Sequence, residues 1–330
     1  MDLDAALATL LSPVVLFFAL GFGAGLGRSS LAVPEQVAKG LSLYLMLAIG
    51  FKGGVEMGHA GLDPMLLKTV VAGLVAGFGI PVLAYGALRK VTQLGVVDAA
   101  SVAAHYGSIS VVTFVAATDH VARLGVGYEG FIVAIVALME TPAIIAGLVL
   151  ARRDQPKRAR RHGGSPVGKE LLREVFLNGS VVLLLGSLAI GALTGDEGFR
   201  SLEPFIVSPF KGVLCLFLLD MGVTAAQRLR DASEMSPRLV TFGLVMPLVG
   251  GLIGLGLAAL AGLDVGTGTL FVTLCGSASY IAVPAAMRIA LPKANPAYSL
   301  GLSLGITFPF NLTVGIPLYA ELAERVLGGA

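Results

Sequence analysis

Two bilayer-length apolar runs in this chain are each broken near the middle by glycine and serine, at matching places in two halves of similar sequence. The first copy runs from Val97 and Asp98 through Tyr106-Gly107-Ser108-Ile109-Ser110 to Tyr128 and Thr141-Pro142. The second runs from Leu263 and Asp264 through Cys275-Gly276-Ser277-Ala278-Ser279 to Tyr298 and Phe308-Pro309. The echo reaches further: Gly54-Val55 matches Gly222-Val223, Pro81 matches Pro247 and Pro142 matches Pro309, all offset by about 168 residues. Backbone interrupted inside a bilayer leaves polar groups that lipid cannot satisfy, so a break survives only packed in protein or beside a polar cavity. A pair of interrupted apolar segments at corresponding places in two halves points to the binding site of a transporter.

Composition fixes the solvent. The chain is 55% hydrophobic and 13% charged, with a mean hydropathy of +0.86, whereas soluble domains are about 25% charged. About ten runs approach the roughly 20 residues that span a bilayer, near 12–27, 33–57, 65–88, 98–120, 128–151, 171–194, 204–227, 237–262, 265–290 and 296–322. The expected fold is therefore an all-α polytopic membrane protein of about ten transmembrane helices. They fall into a first five-helix repeat over 1–151, a basic linker over 152–170 and a second five-helix repeat over 171–330, with one broken helix per repeat. Five spans per half is an odd number, so the second half enters the membrane from the opposite side and the repeats are inverted.

Charge orients this arrangement. With the linker, Arg152 to Lys157 and onward through Arg161, in the cytoplasm, Arg28, Arg89, Lys90, Arg228, Arg230, Arg238, Arg288 and Lys293 fall on the same side. The opposite loops keep Arg123, Arg200 and Arg325, with Lys52, Lys68 and Lys211 near helix ends. That asymmetry follows the positive-inside rule and puts both termini outside. The basic linker reads as a topology-fixing loop rather than a nucleic-acid site. The acidic start, Met1-Asp2-Leu3-Asp4, lacks the basic region of a cleaved signal, so the first run is expected to be retained. Cys215 and Cys275 lie in apolar runs and suggest no disulfide, and no spacing of ligating residues suggests a resident metal.

At a break, one half-helix presents free N–H groups and a positive dipole end, and the other presents free carbonyls. Helix N-termini suit anions. Gly107 and Gly276 permit the unwinding. Ser110 and Ser279 can each cap the following half-helix or donate a hydroxyl to a ligand. Inverted symmetry would bring the breaks face to face, so that Gly107, Ser108, Ser110, Gly276, Ser277 and Ser279 form an anion site without any Arg or Lys. The alternative for each motif is helix packing alone.

Ionisable groups inside apolar runs are costly and mark function by default. Glu140 is the deepest, and its repeat equivalent is Thr307; each stands two residues before a proline, which frees a backbone carbonyl. Carboxylate, hydroxyl and carbonyl oxygens suit a hard cation, so Glu140 and Thr307 are candidates for a coupling sodium ion or proton. A Glu hydrogen-bonded between helices is the plainer reading. Lys52 and Asp220 are also repeat equivalents, with gating or structural pairing as the two readings; mirrored depths argue against a bridge between them, and Glu56 is the local partner expected for Lys52. His105 is either a pH-responsive group or an interhelical hydrogen-bonding histidine. Asp98 and Asp264 are expected to cap their helices.

These residues carry a family resemblance. Ala48-Ile49-Gly50-Phe51-Lys52-Gly53-Gly54, Tyr106 to Ser110, Glu140-Thr141-Pro142-Ala143, Gly276-Ser277-Ala278-Ser279, Val283-Pro284 and Pro292-Lys293-Ala294-Asn295-Pro296 resemble the sodium-dependent bicarbonate transporters of cyanobacterial type and their bacterial relatives, over nearly the whole chain outside the linker. The resemblance implies a multi-pass protein of the bacterial inner membrane, a core domain moving against a gate domain, and a homotrimer. It implies bicarbonate between the broken helices, sodium as coupling ion with no other cofactor, and a PII-like regulatory partner. The chain departs from the cyanobacterial pattern at Val111 and Val112, where the family is richer in Gly and Ser, and at Tyr280, where it carries Asp. The function expected is sodium-coupled bicarbonate uptake, with a proton-coupled symporter of another small anion as the alternative. A membrane sensor or scaffold is the non-transport alternative. Nothing in the sequence supplies a catalytic set, so no enzyme is expected.

Overall fold

The computed structural model describes residues 11–60, 64–153, 177, 179–231 and 235–329. Among these residues every regular element is helical. In chain order they are α1 (Pro13–Leu26), α2 (Glu35–Ala60), α3 (Pro64–Val91), α4 (Val96–Gly107), α5 (Val111–Arg123), α6 (Ile132–Arg153), α7 (Gly179–Ile206), α8 (Phe210–Asp231), α9 (Pro237–Ala261), α10 (Val265–Cys275), α11 (Ala282–Ala290) and α12 (Pro296–Leu327). Local chemistry sets many boundaries. Ser12 caps α1 with Pro13 behind it, Asn295 caps α12 ahead of Pro296, and Gly262 closes α9 in the left-handed region at φ 76°.

Seven of the described segments are long and apolar enough to cross a bilayer, the broken α4–α5 among them. The chain is a polytopic α-helical membrane protein. Each of the ten apolar runs contains helix, with two changes of boundary. The run expected to stop near 194 continues to Ile206, because Gly195 takes φ 55° and ψ −145°, a bend that a residue without a side chain makes without clash, and helix resumes beyond it. The first two linker residues, Arg152 and Arg153, are the last turn of α6. Linker residues 154–170 and the acidic start at 1–10 lie outside the described residues.

Packing sorts the helices into two groups. The long contacts of α1 are with α8, and those of α2 are with α7. The other group gathers α3, α4 and α6 on one side, α9, α10 and α12 on the other, joined where α9 meets α3 and α10 meets α5. The first group is packed through glycine. A Cβ on Gly54 of α2 would run into the Leu188 carbonyl of α7, and a Cβ on Gly222 of α8 would run into the Phe18 carbonyl of α1. A Cβ on Gly21 of α1 would meet Leu219 of α8, and one on Gly191 of α7 would meet Phe51 of α2. The same close approach thus occurs twice with its partners exchanged. Without a hydrophobic drive between helices in lipid, such backbone proximity is what holds them.

The lipid-facing surface and the interior separate cleanly. Leu67, Val71, Val75, Phe78 and Val82 form an exposed stripe along α3, and Leu244, Val245, Val249 and Leu252 cover the exposed face of α9. The broken pair α4–α5 is buried along its apolar length. The breaks therefore sit where only protein can satisfy their backbone.

Candidate functional site

The first break spans Ser108 to Ser110. Ser108 ends α4 in extended backbone, and Ser110 opens α5, its hydroxyl accepting the Thr113 N–H at 3.2 Å. The second break spans Gly276 to Ile281, between α10 and α11. There the Ser279 hydroxyl takes the Val283 N–H at a long 3.5 Å. All four serines are buried.

The breaks interlock through their backbones. The Ser110 N–H donates to the Ser277 hydroxyl at 2.9 Å, and that hydroxyl in turn donates to the Leu274 carbonyl at 2.8 Å. The Ser279 N–H donates to the His105 carbonyl at 2.8 Å. Each broken segment thus supplies a partner that lipid could not. Beyond the breaks, the pairing continues at the helix ends. Asp98 accepts the Asn295 N–H at 2.8 Å, and Thr267 accepts the Glu129 N–H at 2.9 Å. Asp264 caps α10 through the Thr267 N–H at 2.9 Å. Asp98 does not cap α4, contrary to the sequence expectation, because that helix starts earlier, after Gly95, and frees the carboxylate to hold the start of α12.

Between the breaks lies a cavity of about 10 Å³, close to the space one water needs. Ser110 and Val111 at the start of α5, Ser279, Tyr280 and Ile281 leading into α11, Glu140 of α6, Met46 of α2 and Ile109 line it. Two half-helix N-termini therefore face one small space. Glu140 is 4% exposed, and among the described residues no hydrogen bond or ion pair reaches its carboxyl. The Tyr280 hydroxyl comes near Ser110 without completing a well-aligned hydrogen bond. A larger cavity of about 610 Å³ lies against it, lined by Glu35, Lys39, Phe217, Asp220 and Thr224. Ile281 lines both cavities and stands between them.

The remaining sequence candidates take other places. Gly107 packs against the Pro81 ring, and the Gly276 carbonyl accepts the Asn311 amide at 2.9 Å. The Ser108 hydroxyl is buried without a partner among the described residues. Thr307 does not line the cavity with Glu140. It donates to the Gly243 carbonyl and meets the Tyr106 hydroxyl, both at 2.7 Å, and so fixes α4 against α9 and α12. Lys52 and Asp220 form no ion pair with one another. The Lys52 ammonium lies 5.3 Å from the Phe210 ring centre, a cation–π contact, within electrostatic range of Glu56, while Asp220 faces the larger cavity. His105 bonds within its own helix, Nδ1 to the Ser101 carbonyl at 2.7 Å, rather than across helices.

Sequence reading passes over Asn311 and Ile281. Asn311 bridges the Gly276 carbonyl and the Tyr319 hydroxyl, which donates to it at 3.1 Å. An amide in the middle of an apolar run was the available signal. It opens the second of two π-helical turns in α12, Ser303–Thr307 and Asn311–Gly315, that flank Phe308 to Phe310 and widen the helix locally. Ile281 carried no signal, since one isoleucine in an apolar run resembles any other.

Interrupted helices facing a buried, charge-poor space are the apparatus of a membrane transporter, and the sequence comparison decides the family. The sequence model of the Na+-dependent bicarbonate transporter superfamily matches residues 13–324. The chain belongs to this superfamily. It is a transporter and not an enzyme. The match takes in both breaks, Glu140 and all of the described helical body up to residue 324, short of the last three residues of α12. A comparison with curated proteins finds no match.

Proposed function

We propose that the chain imports bicarbonate coupled to sodium, holding the anion between the two breaks. The observation that carries this reading is the single cavity onto which the N-terminal ends of α5 and α11, the Ser110 and Ser279 side chains and Glu140 all open. Two dipole ends and two hydroxyls attract a small anion, and with no Arg or Lys among the described residues that line the cavity the anion is held weakly enough to leave. The Glu140 carboxylate opposes that anion, so a cation beside it balances the charge and ties the two movements together. In this reading Glu140 is the coupling-cation ligand, and Thr307 positions Tyr106 and the first break. Asp220 belongs to the moving boundary, on the wall of the larger cavity that Ile281 also lines, whereas Lys52 and its Phe210 contact lie inside the α1–α2–α7–α8 group.

A cavity the size of one water does not admit bicarbonate. Loading needs Ile281 to withdraw and the α1–α2–α7–α8 group to shift against the remainder, which is alternating access by one body rocking on the other. The exchanged glycine contacts support reading the halves as inverted repeats, and the charge distribution supports an inner-membrane orientation with the linker in the cytoplasm. The exposed stripes of α3 and α9 offer faces for lipid or for neighbouring copies in a trimer, and the basic cytoplasmic side is where a PII-like partner would dock.

Labelled bicarbonate uptake into proteoliposomes, with and without an inward sodium gradient, tests the proposal. Sodium-dependent uptake that disappears in the Ser110→Ala/Ser279→Ala double variant is expected. No uptake under either gradient, from protein that is folded and inserted, removes bicarbonate. In Glu140→Gln, uptake that keeps its full sodium dependence removes Glu140 from coupling.

A further inference from the structure

A third cavity, of about 430 Å³, opens beside the breaks at the arginine-rich ends of α8 and α11. It shares no lining residue with the cavity between the breaks, and its volume suits a small-molecule ligand. His105, Arg228 and Arg288 line it, and among the described residues no carboxylate does. Arg228 is half-buried and Arg288 is exposed. His105 is 1% exposed. Its Nδ1 faces the Ser101 carbonyl, which only accepts, so the proton of the neutral ring sits on Nδ1 and Nε2 is an acceptor. That Nε2 is buried and has no partner among the described residues, a condition that favours a donor arriving from the cavity. The exposed Arg288 guanidinium, in contrast, calls for an oxyanion.

We propose that this cavity is a second anion site, selective for an oxyanion that keeps one O–H at neutral pH. The charged oxygens accept from Arg288, with the positive charge of Arg228 beside them, and the remaining hydroxyl donates to His105 Nε2. Bicarbonate and hydrogen phosphate have this chemistry; nitrate has the charge but no proton to give. Because the His105 carbonyl also accepts the Ser279 N–H, an anion held here steadies the backbone of the second break. The site is therefore placed to couple anion binding on the arginine-bearing face to the transport cavity.

Calorimetric titration of the full-length protein in detergent, near neutral pH, with orthophosphate, bicarbonate and nitrate in separate runs tests this. The expected result is orthophosphate binding that weakens at least about tenfold in both Arg288→Gln and His105→Phe, is largely kept in His105→Gln, whose amide oxygen still accepts, and is accompanied by weaker nitrate binding that His105→Phe leaves unchanged. A bicarbonate titration of the Ser110→Ala/Ser279→Ala variant separates the two sources. Arg288-dependent binding of bicarbonate without orthophosphate makes the site a station for the transported anion itself, and binding of both makes it a site open to other oxyanions. Neither anion binding in an Arg288- and His105-dependent way overturns the proposal, as does equal loss of nitrate and orthophosphate in His105→Phe. Arg288 is exposed, so its variant folds even where His105→Phe does not. Uptake measured on the same variants distinguishes failure of this site from failure of the transport reading, because Arg288 lies outside the cavity between the breaks.

Discussion

The two breaks occupy corresponding places, yet they are built to different stiffness. At the first, Ser110 caps α5 at normal length, Gly107 lies against the Pro81 ring, and the Tyr106–Thr307–Gly243 chain ties the end of α4 to two neighbouring helices. At the second, the α10 end is equally well held, with Asn311 and Tyr319 bracing Gly276. The α11 end is not. Its N-cap residue, Ile281, has no side-chain cap bond, Ser279 reaches Val283 only at 3.5 Å, and Ile281 is 40% exposed toward the larger cavity. Helix termini left with few partners open most readily. On that difference α11 is the wall expected to move and α5 the one expected to stay in place.

Substitutions at the two glycines are the harshest test of that contrast. A Cβ at Gly107 collides with the Pro81 ring inside α3, whereas one at Gly276 meets the tip of Tyr319 at 2.7 Å and the Pro247 carbonyl at 2.9 Å. Gly107→Ala is expected to cost about 3 kcal/mol of stability and Gly276→Ala about 1–2 kcal/mol, read as loss of folded protein in thermal unfolding in detergent. Equal costs would mean that the first break yields as easily as the second. Asn311→Leu comes next. It leaves the Gly276 carbonyl and the Tyr319 hydroxyl without their bridge, an expected loss of about 1–3 kcal/mol. Sodium-driven uptake should fall with it, because the fixed half of the second break is then released. Thr307→Val, which removes the donor to Gly243 but leaves the packing, is expected to cost about 1 kcal/mol. As a reference, Gly79→Ala in the interior of α3, where an added Cβ meets nothing within 4 Å, should leave uptake unchanged and raise stability by about 0.5–1 kcal/mol.

What could be read in the sequence and what could not have a common cause. Glycine and serine are conspicuous inside apolar runs, and so are Glu140 and the matched prolines; the breaks, their pairing and the helical membrane fold were legible because each rests on residue types that lipid tolerates poorly. Partner choice was not legible in the same way. Asp98 and Asp264 look alike in sequence, but helix α4 begins before Asp98 and turns its carboxylate to the Asn295 N–H instead of its own helix. Glu140 and Thr307 are equivalent by offset, yet packing assigns one to the cavity and the other to the Tyr106 brace. Those outcomes depend on rotation and register between helices, which a string of Leu, Val, Ala and Gly does not encode visibly.

The smallest effect separates the breaks most directly. Ser110→Ala removes a cap of ordinary length from α5, and loss of such a cap costs about 1 kcal/mol. Ser279→Ala removes a contact at 3.5 Å, at the edge of hydrogen bonding, so its stability cost should be a few tenths of a kcal/mol. Hydrogen exchange supplies the local readout. In the unaltered protein the amides of Ala282 to Met287 should exchange faster than those of Val112 to Ala117. Ser110→Ala should raise exchange at the start of α5, while Ser279→Ala should barely change α11, which is already loosely capped. If α5 and α11 exchange alike and respond alike, the movable wall is not α11. If α11 alone is fast, and saturating bicarbonate with sodium slows it while leaving α5 unchanged, closure of α11 over the cavity accompanies loading, with Ile281 as the residue that seals it.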